Sequence, residues 1–372
     1  METQSIQKII VSEHETACGK RFGQLTLNKE SSLNALDLDM AVTMRDTLQG
    51  WQTRDDILFV VIDSAGSKAF CAGGDIVSMY NAMGEQQEGI PKFIEQFFTV
   101  EYELDYMLHT FPVPIVVWGQ GIVMGGGLGI FAGASHRVAT QSTVIAMPEI
   151  TIGLFPDVGG SYFLPRLSAN LGLFLGLTAA QLNGVEAQSL GLADFVCASQ
   201  SIQPLLSQWQ AMTWSGDVSQ MISNTLEAQG VNEPLENRLQ PWRGEIEQAC
   251  SGNSVVEIAE NILAIDAQSC RWMSRAQSTL SAGSPLTANL FYHQYNKGKD
   301  LPLNACFRME LDLACHSAEF GEFQEGVRAL LIDKDKEPKW RYSQIKDVPD
   351  SVLAYFFTSP WPASAHPLAH LN

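Results

Sequence analysis

The segment GQGIVMGGGLGIFAGA, residues 119–134, decides the fold class of this chain. It continues PIVVWG (114–119), a short apolar run that predicts a buried strand. Glycine allows positive φ angles and has no side chain to keep a ligand away from the backbone. A strand that passes through a glycine-rich turn into a helix leaves N–H groups unpaired at the helix N-terminus. The segment therefore predicts either a backbone site for a phosphate or an oxyanion, or a tightly packed turn without a ligand.

A second turn of the same kind lies in KAFCAGGDI, residues 68–76. Neither turn has the setting of a dinucleotide site, because GGGLG is not GxGxxG and no acidic residue ends a following strand. The chain also lacks a GxxxxGK[ST] loop. The missing motifs argue against these two nucleotide sites, and both a backbone ligand site and tight packing without a ligand stay open for each turn.

The uncharged segment 110–135 has the length of a membrane span, and some of its glycines have GxxxG spacing. Its seven glycines would each weaken a helix by roughly 1 kcal/mol relative to alanine. The run PIVVWG is also more typical of a strand than of a helix. We therefore predict a globular fold and no membrane-spanning segment.

Strand and helix patterns alternate along the first half of the chain, which predicts an α/β fold with largely parallel or mixed sheets. The pattern changes near residue 200, after which the periodic segments are helical. We predict an α/β core over residues 1–199, a helical region over 200–372 and an irregular Pro-rich tail. The predicted elements of the core are strands at 24–28, 57–65, 114–119 and 136–140, a helix within 34–52, and a closing segment GLADFV at 191–196.

The composition excludes several classes of function. A net charge of −18 over 372 residues argues against nucleic acid as a partner, since phosphate binding needs a basic surface. The seven cysteines form no CxxC pair, and the His residues show no metal-binding spacing, so we expect reduced thiols and no metal. The start of the chain, METQSIQKIIVSEHE, lacks the features of a signal peptide. These features predict a cytoplasmic protein.

Two acids, Glu149 and Asp157, stand in the apolar run MPEITIGLFPDVGG, residues 147–160, with no basic residue beside them. Gly153 and Pro156 argue against one continuous helix here. Burial without a cation would raise the pKa of Glu149 and favour its use as a base near neutral pH. The run therefore predicts two buried acids in an apolar segment of loop and strand.

Taken together, these motifs resemble the enoyl-CoA hydratase/isomerase (crotonase) superfamily. The resemblance rests on AFCAGGD, GIVMGGGLG and MPEITIGLFPDVGGSYFLPRL, with LNKESSLNALD (27–37) similar to an N-terminal motif of the family. Within the superfamily the chain looks most like the 3-hydroxyisobutyryl-CoA hydrolases, which share the Glu and Asp around IGLFPDVGG and a C-terminal pattern like FGEFQEGVRALLIDKDKEPKW (320–340). The resemblance spans roughly residues 20–345.

The resemblance implies a crotonase-like spiral α/β core with a helical C-terminal region, and an acyl-CoA thioester as substrate. By position, the backbone N–H groups of Gly74 and Gly126 would form an oxyanion hole, and Gly125 would contact the substrate. Glu149 would be a general base or a nucleophile, and both roles stay open. Asp157 would orient Glu149, hold the water or bind the 3-hydroxyl group.

Further positions follow from the same resemblance. Glu101 matches a residue of the substrate pocket, the alternative being a solvated helix face. CoA would contact Lys29, the carbonyl of Ala72 and a C-terminal basic residue, Lys334. The resemblance implies no separate cofactor, because CoA is part of the substrate. Relatives of this type often assemble into trimers or paired trimers, so a homo-oligomer is possible.

One departure from the family separates the candidate functions. Hydratases carry a second catalytic Glu just after the triple glycine, and this chain has Gly129 there. Adding water across a double bond needs acid and base roles at two carbons, so the missing acid favours a hydrolase. The predicted function is hydrolysis of a short 3-hydroxyacyl-CoA in valine catabolism. The alternatives are a hydratase or isomerase of the same fold, or an acyl-CoA-binding protein without catalysis.

Overall fold

The computed structural model describes residues 7–86, 88–198, 201–231 and 235–372. Their strands are β1 (Ile9–Glu15), β2 (Arg21–Leu27), β3 (Ile57–Ser64), β4 (Ala69–Cys71), β5 (Ile115–Gly119), β6 (Ile122–Met124), β7 (His136–Thr140), β8 (Val144–Ala146), β9 (Leu182–Asn183) and β10 (Phe195–Cys197).

The α-helices of the described residues are α1 (Leu38–Trp51), α2 (Ile76–Glu85), α3 (Lys92–His109), α4 (Gly126–Ala132), α5 (Gly160–Phe163), α6 (Leu171–Thr178), α7 (Gly184–Ser189), α8 (Gln203–Ala211), α9 (Val218–Glu227), α10 (Arg243–Ala249), α11 (Val255–Ala264), α12 (Arg271–Ala282), α13 (Pro285–Gly298), α14 (Leu303–Phe320), α15 (Glu322–Val327) and α16 (Asp350–Phe356). Short 3₁₀ helices lie between several of them, for example at Glu149–Thr151.

The chain divides into two compact units, each made of several segments. Unit 1 comprises Met1–Gly74, Met107–Ile145 and Leu182–Asn237, and unit 2 comprises Asp75–Tyr106, Ala146–Gln181 and Arg238–Asn372. These units are defined by backbone contacts and do not follow the predicted domains 1–199 and 200–372, which stay a prediction. Beyond residue 200, every named secondary-structure element of the described residues is a helix, as the sequence predicts.

Unit 1 contains two sheets. The larger has the order β1-β2-β3-β5-β7-β10, with β1 antiparallel to β2 and the later neighbours parallel. The smaller has the order β4-β6-β8-β9, with β4 and β6 parallel. The strands predicted at 24–28, 57–65, 114–119 and 136–140 are confirmed as β2, β3, β5 and β7, with small differences at their ends. The closing segment GLADFV ends in β10.

The helix predicted within 34–52 begins later than its apolar spacing suggests, at Leu38. Asn34 is in the left-handed region, with φ 56°, and its amide donates to the carbonyls of Ala65 and Ala69 at 3.0 Å. Asp37 then caps the helix by accepting from the Met40 N–H at 3.1 Å. The side chain of Asn34 is therefore committed to a turn that a helix could not accommodate.

The core of unit 1 lies where α8 and α9 cover the larger sheet. Trp209 is fully buried, and its ring contacts Phe22 and Phe59 edge-on at centroid distances of 6.3 and 5.4 Å. Its indole N–H donates to Thr225 Oγ1 at 2.9 Å, so the one polar atom of the ring is satisfied. These helices and the strands that they cover share one cluster of buried apolar side chains.

Unit 2 is built mainly of helices around a second aromatic core. Tyr102 of α3 is fully buried between Phe98 and Phe307, with ring centroids 5.5 and 5.8 Å away. Its helices include α5, α6 and α10 to α16. Among the residues that the structure describes, no helix is long and apolar enough to cross a membrane. The segment 110–135 instead contains β5, β6 and α4.

Candidate active site

The two glycine turns lie against each other in unit 1. β4 and β6 run parallel, and each leads through its turn into a helix, as predicted. A Cβ atom on Gly127 would lie 2.4 Å from the Cys71 carbonyl oxygen and 2.7 Å from the Cys71 Cβ. One on Gly121 would lie 2.3 Å from the Lys68 oxygen. These glycines are required because the two backbone segments approach more closely than any side chain allows.

The predicted oxyanion-hole glycines occupy defined places in these turns. Gly126 is the first residue of α4, so its N–H has no acceptor within its own helix. Gly125 precedes it with φ 48°, a conformation that favours glycine. The turn that carries Gly74 is fixed by Leu36, whose N–H donates to the Gly73 carbonyl at 2.8 Å. Side chains add to this contact, because the Cys71 thiol donates to the Gly73 carbonyl at 3.4 Å and Asp75 accepts from the Ser78 N–H at 3.2 Å.

The residues predicted to contact CoA differ in their surroundings. Lys29 is partly buried and forms a 3.0 Å ion pair with Asp37. The N–H of Ala72 donates to the Leu33 carbonyl at 3.1 Å. Lys334 is exposed and has a left-handed backbone, with φ 58°. Nothing in this geometry assigns them to CoA, and these contacts stay predictions.

Unit 2 contains a cluster of buried carboxylates. Glu149 and Asp157 are each 3% exposed, which confirms that the acids of the apolar run are buried. Three further acids in the unit are equally buried and interact electrostatically with this pair or with each other: Glu101, Asp105 and Glu310. Within the described residues, no ion pair links any of the five to a lysine or an arginine. The cluster therefore concentrates negative charge where water does not screen it.

Helix α3 places two of these acids on one face. Glu101 and Asp105 are four residues apart, which aligns them along the helix. Glu101 is 2% exposed, so the alternative of a solvated helix face is wrong. Glu101 Oε1 and both oxygens of Asp105 are buried without a hydrogen-bond partner among the described residues. Unpaired buried carboxyl oxygens are costly, which makes structural packing alone a poor reason for them.

Asp157 projects from a turn with an unusual backbone. Val158 and Gly159 follow it with φ angles of 52° and 87°. The Tyr102 hydroxyl donates to Asp157 Oδ2 at 2.8 Å. A β-branched residue in the left-handed region is strained, so other contacts must hold this turn.

Glu310 of α14 supplies those contacts. Its Oε2 accepts from the Gly159 N–H at 2.8 Å, and its Oε1 accepts from the Ser161 N–H at 2.9 Å. The Ser161 hydroxyl also donates a short hydrogen bond to Oε1. One buried carboxylate thus fixes three donors of the turn that carries Asp157.

The pKa values of the cluster are shifted upward. Burial first, and then the nearby charge of Asp157, raise the pKa of Glu149 well above its usual range. Burial raises the pKa of Asp157 to about 7, although the Tyr102 hydroxyl opposes the rise. The pKa values of Glu101 and Asp105 are also well above their usual range, through burial and then neighbouring carboxylates. Carboxyl groups with raised pKa values in one buried cluster are candidates for acid and base roles.

Sequence reasoning missed three members of the cluster. Tyr102 and Asp105 lie beside Glu101 in VEYELDYML, and the i, i+4 spacing of two acids on an otherwise apolar helix face was the available signal. Glu310 gave no signal, because FRMELDLA is also the pattern of an ordinary amphipathic helix. Its role depends on a contact with Ser161 across 149 positions of sequence.

The described residues contain no group of His, Cys, Asp and Glu side chains that could hold a metal ion. All seven cysteines are free thiols, in agreement with the expectation of reduced thiols.

Parallel strands that lead through glycine turns into helices define a crotonase-like fold, and comparison with solved structures confirms this. A carnitinyl-CoA dehydratase from Mycobacterium thermoresistibile superposes with a TM-score of 0.84 at 29% identity, covering 96% of this chain and 98% of that one. An enoyl-CoA hydratase from Rhodobacter sphaeroides gives a TM-score of 0.80 at 28% identity, covering 95% and 98%.

This chain belongs to the enoyl-CoA hydratase/isomerase family, whose model matches residues 22–357. It is 37% identical to the 3-hydroxyisobutyryl-CoA hydrolase, mitochondrial, of Danio rerio over 91% of this chain and 87% of that protein. It is 34% identical to the protein of the same name from Homo sapiens, over 91% of this chain and 86% of that protein.

Proposed function

We propose that the protein hydrolyses acyl-CoA thioesters and that its substrate is a short 3-hydroxyacyl-CoA, with 3-hydroxyisobutyryl-CoA the first choice. The products would be 3-hydroxyisobutyrate and CoA. The family membership supports a CoA thioester as substrate, and the relatives named as hydrolases of this compound support the acyl group. Placement in valine catabolism follows from that substrate and is part of the proposal.

One observation carries the choice of hydrolysis: Glu149 and Asp157 form a buried pair of carboxyl groups that, among the described residues, has no ion pair with a cation. Hydrolysis needs a base to deprotonate water and an acid to protonate the leaving sulfur. Burial raises the pKa of Glu149 well above its usual range and that of Asp157 to about 7. Oε2 of Glu149 has no hydrogen-bond partner among the described residues, so it is available to water or substrate.

In the proposed reaction, a water oxygen attacks the thioester carbon and the carbonyl oxygen becomes an oxyanion. Glu149 takes the proton of the water as general base. The C–S bond then breaks, the carbonyl forms again, and the proton passes from Glu149 to the thiolate of CoA. Asp157, held by Tyr102, orients the attacking water or the 3-hydroxyl group. The competing route, in which Glu149 forms a mixed anhydride, requires an acyl–enzyme intermediate that can be trapped.

The proposal also assigns a role to backbone N–H groups, which would stabilise the oxyanion. The N–H groups of Gly74 and Gly126 would bind the oxyanion, and losing one such donor typically costs about 3 kcal/mol. Gly125 would contact the substrate, as would Glu101. Lys29, Ala72 and Lys334 are kept as proposed contacts of CoA. A tetrahedral oxyanion analogue should then bind more tightly than a thioether of the same length.

The second candidate is a hydratase or dehydratase. The similarity to an enoyl-CoA hydratase and a carnitinyl-CoA dehydratase with TM-scores of 0.80 and 0.84 favours it. Gly129 argues against it, because hydratases of the family carry a carboxylate at that position and this chain has a buried glycine of α4. Without that group, one of the two proton-transfer roles at adjacent carbons is unfilled.

A panel of acyl-CoAs separates the candidates. The purified protein is incubated with 3-hydroxyisobutyryl-CoA, 3-hydroxybutyryl-CoA and crotonyl-CoA, and free thiol and enoyl absorbance are followed together. The proposal predicts thiol release from the 3-hydroxyacyl-CoAs and negligible hydration of crotonyl-CoA. Rapid hydration of crotonyl-CoA without thiol release would overturn it in favour of the second candidate, and binding without either signal would mean a binding protein.

Compartment and assembly are separate proposals. The composition predicts a cytoplasmic protein, whereas the similar hydrolases are named as mitochondrial. Fractionation of the source cells followed by detection of the chain decides between them. A homo-oligomer remains the expectation from the family, and light scattering of the purified protein measures it. That no cofactor is needed is also a prediction, tested by full activity after exhaustive dialysis against a chelator.

A further inference from the structure

Unit 2 contains a cavity of about 300 Å³ whose lining differs from the rest of this acidic chain. Asp and Glu outnumber Lys and Arg by 41 to 23 in the sequence. Among the described residues, the lining nevertheless includes three arginines and no acid: Thr178, Ala179, Ala180, Gln181, Arg238, Arg271, Trp272, Arg275 and Ala276. Three guanidinium groups around one cavity create a local positive field against the net charge of the protein.

The walls of this arginine cavity are fixed by buried contacts. Trp272 donates its indole N–H to the Gln181 carbonyl at 2.7 Å, and Arg238 Nη2 donates to the same oxygen at 3.2 Å. The ring of Trp272 packs on Phe174 of α6 at a centroid distance of 5.8 Å. Met273, the next residue of α12, is fully buried. Arg271 and Arg275 therefore project from a helix that is anchored by Trp272 and Met273, whereas Arg238 lies in the irregular segment before a 3₁₀ helix at Gln240–Trp242.

The positions of Arg271 and Arg275 oppose helix stability. Both lie in the first two turns of α12, whose first turn contains no acidic residue and whose N-cap residue makes no side-chain hydrogen bond. Positive charge there opposes the helix dipole, and like charges four residues apart repel by about 0.2–0.5 kcal/mol. Within the described part of the chain, no carboxylate forms an ion pair with either side chain. Residues that lower the stability of their helix without a compensating ion pair are typical of functional positions.

We propose that this cavity binds a compact phosphate-bearing anion, separately from the acyl-CoA chemistry proposed above. Guanidinium groups bind phosphate oxygens through paired N–H donors, and the N-terminal end of α12 favours the same charge. Arg271 and Arg275 are the principal ligands, and Arg238 closes the other side of the cavity. Trp272 also lines the cavity, and an aromatic side chain can stack on a base, so a nucleoside phosphate and free phosphate are the two sources to compare.

The test is a calorimetric titration of the full chain with inorganic phosphate and with ADP, at constant ionic strength because screening alone weakens charged contacts. We expect saturable binding with Kd of about 1 mM or lower. The variant R271Q/R275Q should lose at least about tenfold in affinity, as expected when charge-assisted hydrogen bonds are removed. Tighter binding of ADP than of phosphate would identify a nucleoside phosphate as the occupant, and equal binding would identify phosphate alone.

The matched control removes two exposed charges outside the cavity lining, in K336Q/K346Q. It should bind phosphate as the wild type does. Equal affinity of R271Q/R275Q and the wild type, or no binding to the wild type at about 10 mM ligand, would overturn the proposal. Thiol release from acyl-CoA should be unchanged in R271Q/R275Q, so failure of the anion site and failure of the proposed hydrolase are separate results. A thermal unfolding curve of each variant without ligand verifies that it is folded.

Discussion

The hydroxyl of Tyr102 donates a 2.8 Å hydrogen bond to Oδ2 of Asp157 inside a fully buried cluster of carboxyls. This hydrogen bond opposes the rise in pKa that burial imposes on Asp157, so it favours the charged form of the acid. Tyr102 comes from α3 and Asp157 from the apolar run before α5. The contact therefore couples the helix that carries Glu101 and Asp105 to the loop that carries the proposed catalytic pair.

Replacing Tyr102 by Phe should change the pH dependence of turnover. Without the hydroxyl the pKa of Asp157 rises further, so the acidic limb of the kcat/KM profile for thiol release should move to higher pH. The matched control is Tyr292→Phe, which removes a hydroxyl bonded to the Asn253 carbonyl at 3.1 Å and leaves the cluster intact. An unchanged profile in Tyr102→Phe would show that charge on Asp157 does not limit the reaction.

Glu310→Gln should reduce turnover through the turn that carries Asp157. The amide can replace one acceptor oxygen but places an NH₂ group against a donor of Gly159 or Ser161, at a cost of about 1–3 kcal/mol. We expect kcat to fall while KM stays within about threefold, because Glu310 acts by positioning another residue. Glu310→Asp keeps the carboxyl group and should recover part of the loss.

The control for Glu310 is Glu322→Gln. Glu322 is also buried, and it accepts from the Ser284 hydroxyl at 2.6 Å and from the Arg341 N–H at 2.9 Å, without a hydrogen bond to the Asp157 turn. It should lose a comparable amount of unfolding free energy and keep its kcat. Equal losses of kcat in the two variants would mean that Glu310 acts only through stability.

Because these acids are buried, we predict that their contribution to the free energy of unfolding falls as the pH rises. Burial raises the pKa of Asp157 to about 7 and that of Glu310 to about 8. In the unfolded chain these groups ionise near pH 4, so above that pH the folded state binds more protons and folding becomes less favourable. Their contribution is most favourable below about pH 4 and is lost as the pH rises through 7 to 8.

The measurement for this effect is urea unfolding at a series of pH values between about 5 and 9, with Asp157→Asn as the comparison. The variant cannot ionise at position 157, so its unfolding free energy should decline less steeply over this range. Parallel curves for the two proteins would contradict the assignment of a raised pKa to Asp157.

Gly127→Ala should push the two glycine turns of unit 1 apart and lower the rate of thiol release. The added methyl group would lie 2.4 Å from the Cys71 carbonyl oxygen, so one of the two turns must move. A displacement of about 1 Å at a catalytic backbone donor costs about a hundredfold in rate. Gly50→Ala is the control, because its methyl group would have no neighbour within 4 Å and lies in a helix. Full thiol-release activity in Gly127→Ala would remove the close approach of the turns from the mechanism.

Local sequence patterns predicted the strands and glycine turns of the fold well, because each of these elements is encoded by a contiguous run of residues. The strands β2, β3, β5 and β7 follow directly from apolar runs, and the turns follow from triple and double glycines. The start of α1 was misplaced because Asn34 makes hydrogen bonds to residues 31 and 35 positions away, which periodicity does not reveal. Side-chain contacts of this kind arise only from the tertiary structure.

The residues of the candidate site also differ in whether local sequence could predict them. The burial of Glu149 and Asp157 could be predicted because an acid in an apolar run is unusual, and a family pattern marked Glu101. Glu310 could not be predicted, because its partners lie about 150 positions away in sequence. The catalytic, oxyanion and CoA roles of the predicted residues remain predictions, since burial and hydrogen bonding do not by themselves assign a reaction.

The rate of thiol release by the Glu149→Gln variant tests most directly the central claim that Glu149 is the general base. The substitution keeps the size of the side chain and removes the group that is proposed to take the proton of water. With saturating 3-hydroxyisobutyryl-CoA, we predict that kcat falls by about a hundredfold or more, the usual contribution of a general base, while the affinity for CoA changes little. Near wild-type kcat in a folded Glu149→Gln protein would contradict the account and remove Glu149 from the mechanism.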